Sequence, residues 1–316
     1  MYIRVLSLMI QHWGRLMDSV NNSQAFDDFS RAKRRAHFNS FFNTLQWKNS
    51  DLLSLYEVTK IIKPKKETYL GMQTIPVDKI IGSEGRYRDF SSAFLPKKEM
   101  LRSRWASIDV ARMEDVILPP ISVYSLGGNY FVRDGNHRVS VAKSMGTEYI
   151  DAEVVELDSQ IPLEPGMTLK QIKSRAVEYE RNMFISQYNP TYLPMDEIKF
   201  TSPGSYPEMV NHILVHKYYI NQNRKDEISF EEAAKSWYKN VYEPIIKEVR
   251  KDNLLSNFPG ESEADLYMWL VRRWDEKKRQ KKDASIEETV SEAKKETAKG
   301  RLKRYIKKFL DFFSKN

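Results

Sequence analysis

The stretch YFVRDGNHRVSVAKSMG, residues 130–146, decides how this chain is read. An apolar, β-branched run stops at Asp134, Gly135 lets the backbone turn, and a helix-forming segment follows until Gly146. A turn that only reverses the chain needs a Gly or an Asn, yet this one also carries Asp134, His137 and Arg138. A glycine at a strand-to-helix junction lets a ligand approach the backbone while the first helical N–H groups point at it, which suits an anion. Arg138 can add a bidentate contact to a phosphate or carboxylate, and Asn136 and His137 offer further donors. Neutral His137 can instead accept a proton. Asp134 repels a phosphate unless a metal or a proton intervenes, which makes it a candidate Mg²⁺ ligand or general base. The same residues also make an ordinary turn, with Asp134 capping the helix and Arg138 paired to a nearby acid.

Working outward, LPPISVYSLGGNYFV places strands at Ile121–Tyr124 and Asn129–Val132, joined across Leu126-Gly127-Gly128 in a hairpin. YIDAEVVEL, after Gly146, is a further strand. Upstream, QTIPVDKIIGSEGRYRDF (73–90) reads as a short β-branched strand followed by a Gly-flanked turn that bears Glu84, Arg86 and Arg88. A helix is expected over 96–116, starting at Pro96 and carrying Arg102, Arg104 and Trp105. Together these form a mixed α/β unit over residues 70–158.

On either side, helical spacing dominates. Residues 24–62 predict two helices, with RAKRR (31–35) open to phosphate contacts or to a plain solvated face. Beyond Leu163-Glu164-Pro165-Gly166, helices are expected at 167–186, 207–222, 229–252 and 261–280. The Pro-rich stretch 188–208 separates the first two. Glu208, His212 and His216 sit four apart, but three ligands along one helix cannot converge on one ion, so packing or surface roles fit them better. Trp237, Tyr238, Tyr242, Tyr267, Trp269 and Trp274 recur at helical spacing and read as core rather than as stacking platforms for bases. Past residue 280, Ser285 opens a capping-box pattern, and Leu302, Tyr305, Ile306, Phe309, Leu310 and Phe313 make a basic amphipathic helix. That helix suits an anionic membrane surface, a partner protein or its own chain.

These segments divide the chain into an N-terminal helical segment (1–68), an α/β domain (69–160), a helical C-terminal domain (161–280) and a charged tail (281–316). The expected class is α+β, with a small mixed sheet between helical parts. The 316 residues carry a net charge of +8, favouring anionic partners such as nucleotides, nucleic acid or a membrane surface. The absence of cysteine excludes disulfides, thiolate zinc sites and thiol nucleophiles, and suits a cytoplasmic location. The N-terminus lacks the features of a signal peptide, and no run reaches the roughly 18–20 apolar residues of a spanning helix.

IPVDKIIGSEGRYRDF and LPPISVYSLGGNYFVRDGNHRVSVAKSMGTEYIDAEVV resemble, in order and spacing, the two conserved boxes of the ParB/sulfiredoxin superfamily. The resemblance covers residues 73–156. The regions EEAAKSWYKNVYEPII (231–246) and LLSNFPGESEADLYMWLVRRW (254–274) are similar to the C-terminal part of bacterial ParB-like proteins. The resemblance implies a Gly-x-x-Arg turn that holds nucleotide phosphates, here Gly135 and Arg138 with Asn136 and His137 lining it. Arg86 or Arg88 would be the helping arginine of the first loop. It also implies a nucleotide, ATP, ADP or CTP, with Mg²⁺, and NTPase or phosphotransferase chemistry.

Within the superfamily, sulfiredoxin chemistry is excluded because the turn holds no cysteine. The Gly-Glu-Arg-Arg turn and Glu-Asn-x-x-Arg motif of ParB clamps are also missing. Glu84 is the positional counterpart of the base in the serine-kinase branch. Two rivals stay open: a non-enzymatic DNA-binding regulator using RAKRR, Arg102 and Arg104, and a scaffold in which DGNHR only stabilises the domain.

Overall fold

A computed structural model describes residues 2–45, 52–222, 224–251 and 253–280. The chain separates into two compact units, Met1–Ile172 and Lys173–Asn316. The capping box at Ser285 and the basic amphipathic segment 301–313 lie outside the described residues.

The first unit is built on a mixed sheet. Its elements are α1 (Tyr2–Leu45), β1 (Leu53–Ser54), α2 (Leu55–Ile62), β2 (Glu67–Pro76), β3 (Ile80–Ser83), α3 (Arg102–Met113), β4 (Ile121–Leu126), β5 (Asn129–Asp134), α4 (Asn136–Met145) and β6 (Tyr149–Leu157). The strand order is β1-β3-β5-β4-β6-β2, six strands. β4 and β5 form the expected hairpin, and Gly127 and Gly128, both at positive φ, make its two-residue turn. β4 runs parallel to β6 because α4 intervenes, and β2 closes the far edge antiparallel to β6.

One face of the sheet buries Ile75, Ile121, Val123, Val132 and Val154 under Phe29 of α1, Trp105 and Ile108 of α3, and Val139 of α4. The other face packs Leu126, Phe131 and Leu157 against Leu55 and Val58 of α2 and Ile172. α3 is fixed to α4 by Trp105, whose buried indole N–H donates to Ser140 Oγ at 3.0 Å. A buried indole N–H without a partner would carry a desolvation penalty, so this bond sets the relative position of the two helices.

Several expectations need correction. β2 is ten residues long, beginning at Glu67, because β6 supplies a partner along its whole length. Leu53–Ser54, expected within a helix, is a short strand parallel to β3. The helix expected from Pro96 begins later: Pro96 is bridged to Phe90, Lys98 is extended, and one tight turn, Glu99–Leu101, precedes α3. Long-range pairing with β6 extends β2, pairing with β3 overrides the helical spacing at Leu53–Ser54, and a short-range bridge delays the helix after Pro96.

The second unit contains α5 (Leu169–Tyr188, which begins in the first), α6 (Ser205–Asn221), α7 (Phe230–Trp237), α8 (Glu243–Lys251) and α9 (Glu263–Gln280). The helix expected over 229–252 starts at a capping box, Ser229 with Glu232, and widens into a π-type turn at Tyr238–Tyr242. Pro244 lies just beyond and has no N–H for the regular ladder, which the wide turn accommodates. Trp237, Tyr242 and Tyr267 are buried as expected, with the Trp237 indole donating to Tyr267 Oη at 3.0 Å. Trp269 departs from the core reading. It is exposed beside Phe258, with the Arg273 guanidinium over its ring. His212 bonds Tyr267 Oη and His216 bonds Ser236 Oγ, so the two histidines serve separate contacts.

Between α1 and α3, Asp109 is fully buried, with one oxygen accepting from Arg112 Nε at 2.9 Å. Burial is the main cause pushing its carboxyl up from the usual range, and the neighbouring Asp28 adds to it. The other oxygen has no partner as a carboxylate and becomes a donor to Asp28 when protonated. The folded state therefore holds this proton more tightly than the unfolded chain. The contribution is complete below the unfolded pKa of 3.8 and is lost as pH rises through the folded value. Asp109→Asn is expected to stabilise the protein at neutral pH relative to acid pH. Chemical denaturation at pH 4 and pH 7 checks this, and an unchanged pH profile in the variant would contradict it.

Candidate functional site

The loaded turn lies where β5 passes into α4. Gly135 is the N-cap of α4, at φ 97° and ψ 21°, a left-handed conformation that L side chains rarely adopt. A Cβ there would lie 2.5 Å from Ile121 Cγ2, so the position also requires glycine for space. Having no side chain, Gly135 cannot cap the helix, and the first N–H groups of α4 find no side-chain cap.

Arg138 is turned inward. Its Nη1 donates to the carbonyls of Pro119 and Pro120, the latter at 2.7 Å, and its Nη2 pairs with Asp134 Oδ2. The Arg138 side chain is only 13% exposed, whereas Asp134 is 76% exposed. This guanidinium ties the segment entering β4 to the β5–α4 junction. These acceptors take up both Nη1 hydrogens and one Nη2 hydrogen, three of the five guanidinium donors.

The other expected residues separate into two groups. Arg86 reaches the turn: its backbone N–H donates to Ser83 Oγ, and its Nη1 lies 2.9 Å from His137 Nε2. Arg guanidinium is donor only, so Nε2 accepts and the neutral imidazole carries its proton on Nδ1, which is buried without a partner. His137 also packs edge-on against Phe90. Asn136 is buried with its Oδ1 unpaired. Arg88 instead lies over the Tyr87 ring, and Glu84 is exposed just after β3, with its backbone N–H bonded to Val132 O.

A residue missing from the sequence-based site is Arg104. It is exposed on α3, next to the Trp105 that bonds α4, and its charge acts on His137. Nothing local in the sequence marks it, because a separation of 33 positions from His137 is bridged only by packing of α3 on α4. Burial, then the charges of Arg86 and Arg104, push the His137 imidazole down to about 4, with Asp89 opposing. Asp89 is itself held by Lys98 Nζ at 2.6 Å. The arrangement is a neutral imidazole bonded to Arg86, under the charge of Arg104 as well, beside an uncapped helix N-terminus, chemistry suited to an anion. Among the described residues no group of three or more His, Asp or Glu side chains could hold a metal ion.

These features define a mixed α/β domain with a cationic strand–turn–helix junction, followed by a helical unit. Among solved structures, the chain is similar to the C2221 form of a Pnob8-like ParB-N domain, at 11% identity and a TM-score of 0.21, covering 63% of this chain and 88% of that one. No family model matches the chain, and no curated protein does. No helix among the described residues is long and apolar enough to cross a membrane.

Two outcomes follow. Arg138→Ala leaves two carbonyls and Asp134 without their donor, and is expected to cost about 2–3 kcal/mol in denaturant titration. A loss below about 0.5 kcal/mol would contradict the clamp. For His137, a depressed folded pKa means its contribution is complete above 6.5 and is lost as pH falls towards about 4. His137→Gln, neutral throughout, should flatten the fall in melting temperature over that window. An equally steep fall in the variant would place the acid sensitivity elsewhere.

Proposed function

We propose that the first unit binds a phosphorylated anion, a nucleotide in the ParB-like reading, at the N-terminus of α4. The observation that carries this is the Arg86 guanidinium, 2.9 Å from His137 Nε2, beside helical N–H groups that have no side-chain cap, with the charge of Arg104 also acting on that imidazole. The ParB/sulfiredoxin resemblance of residues 73–156 supports the same place from the sequence. In this reading Arg86 and Arg104 meet the phosphate charge, the α4 backbone donates to its oxygens, and Gly135 allows close approach. Arg138 holds the turn in shape. Mg²⁺ would arrive with the nucleotide, since the junction holds no cluster of carboxylates to bind it beforehand. Asp134, Glu84 and His137 remain the groups from which any base for NTPase or phosphotransferase chemistry would come.

Thermal unfolding against ATP, ADP, CTP and GTP with Mg²⁺ tests this. A rise in melting temperature with at least one nucleotide is expected in the wild type. It should be reduced in Arg86→Ala and in Arg104→Ala, each at least tenfold weaker in affinity by about 1.4 kcal/mol. Arg138→Ala is a poor probe because it also removes the clamp. No shift with any nucleotide, together with salt-dependent retention on DNA, would replace this reading with the regulator one, in which exposed Arg34 and Arg35 of α1 would take part.

A further inference from the structure

The opposite edge of the sheet has a different character. β2 is the terminal strand, paired only with β6, so one side of its backbone is open to pairing. Sheet edges are usually blunted by Lys, Pro or a bulge. ETYLGMQTIP contains no Lys or Arg, and its Pro is the last residue. A register shift at Tyr69–Gly71, with Gly71 at positive φ, bends the first half, whereas Met72–Ile75 continues in regular register. Tyr69 is 63% exposed, Met72 58% and Tyr149 58%.

Cross-strand partners share a face, and Met72 stands opposite Glu153, Thr74 opposite Asp151, and Pro76 opposite Tyr149. The exposed edge is thus backed by two carboxylates. Glu153 accepts from the Tyr69 hydroxyl at 2.9 Å, and Asp151 accepts from Thr74 Oγ1 at 2.7 Å. Neither is in an ion pair with a Lys or Arg among the described residues. On the same face, Arg133 lies over the Tyr124 ring. In a chain of net charge +8, two adjacent acids without cations beside exposed apolar side chains form a local reversal of sign.

We propose that the outer edge of β2, backed by Asp151 and Glu153, is a docking strand for an extended cationic segment of a partner protein. Such a segment would continue the sheet through backbone hydrogen bonds to Met72–Ile75. Alternate Lys or Arg side chains would then lie beside Met72 and Thr74, with stems on Tyr69 and Met72 and charged ends at Glu153 and Asp151. Backbone pairing supplies affinity, and the acids select sign. The net charge of the chain disfavours non-specific binding of a cationic ligand, and the two acids favour it locally.

The test uses the full chain and a fluorescein-labelled seven-residue peptide of alternating Lys and Val, with alternating Glu and Val as control. Anisotropy should show binding of the Lys peptide alone. Hydrogen exchange should show new protection at residues 72–75. The Asp151→Lys/Glu153→Lys double variant should weaken binding at least about tenfold. Met72→Lys, which keeps both acids and their hydrogen bonds, should do the same if the double variant proves unstable. Arg86→Ala should leave binding unchanged, which separates this edge from the anion site. Absence of binding, equal binding of the Glu peptide, protection confined to other segments, or unchanged affinity in Met72→Lys would each overturn the proposal.

Discussion

The first unit depends on how Arg138 is used. Its guanidinium gathers two consecutive carbonyls, Pro119 and Pro120, and the carboxylate of Asp134 around one side chain. Proline carbonyls at the entry to β4 have no ladder partner before the strand begins, and Asp134 ends β5. One cation therefore joins the start of one hairpin strand to the end of the other. Gly135 makes this possible, since any side chain there would strike Ile121 and oppose the left-handed turn that aims α4. The first N–H groups of α4 have no side-chain cap, because the residue before them has no side chain.

The electrostatics of the junction follow from that arrangement. With Arg138 engaged internally, the arginines whose charge acts on His137 are Arg86, from the loop after β3 and also paired with Asp89 at 3.6 Å, and Arg104, from α3. Each lowers the proton affinity of His137, which stays neutral and accepts from Arg86 instead of adding a third charge. At the far edge, Asp151 and Glu153 reverse the sign, so the sheet has a cationic end and an acidic edge separated by its own strands.

Much of the architecture was legible locally. The hairpin follows from Gly127-Gly128 between β-branched runs, α4 from the segment between Gly135 and Gly146, and the helical second unit from three- and four-residue apolar spacing. At Leu53–Ser54 and in the early part of β2, strand pairing with distant residues outweighs local preference, and after Pro96 a short-range bridge to Phe90 delays the helix. At the site, the sequence placed Gly135, Asn136, His137, Arg86 and Arg138 around one turn. It could not show that Arg138 faces inward or that Arg104 joins from α3.

The sequence by itself determined the periodicities, the turn glycines and which residue types could meet an anion, because these depend on neighbours a few positions apart. Tertiary structure alone decided which arginine serves the fold and which faces the turn. That choice depends on where unpaired carbonyls and a buried indole N–H fall in space. Pro119 and Pro120 claimed Arg138, and packing of α3 on α4 through the Trp105–Ser140 bond lets the charge of Arg104 act on His137. Groups that must be satisfied on burial take the nearest donor, and proximity across 18 or 33 residues is set by packing, not by spacing along the chain.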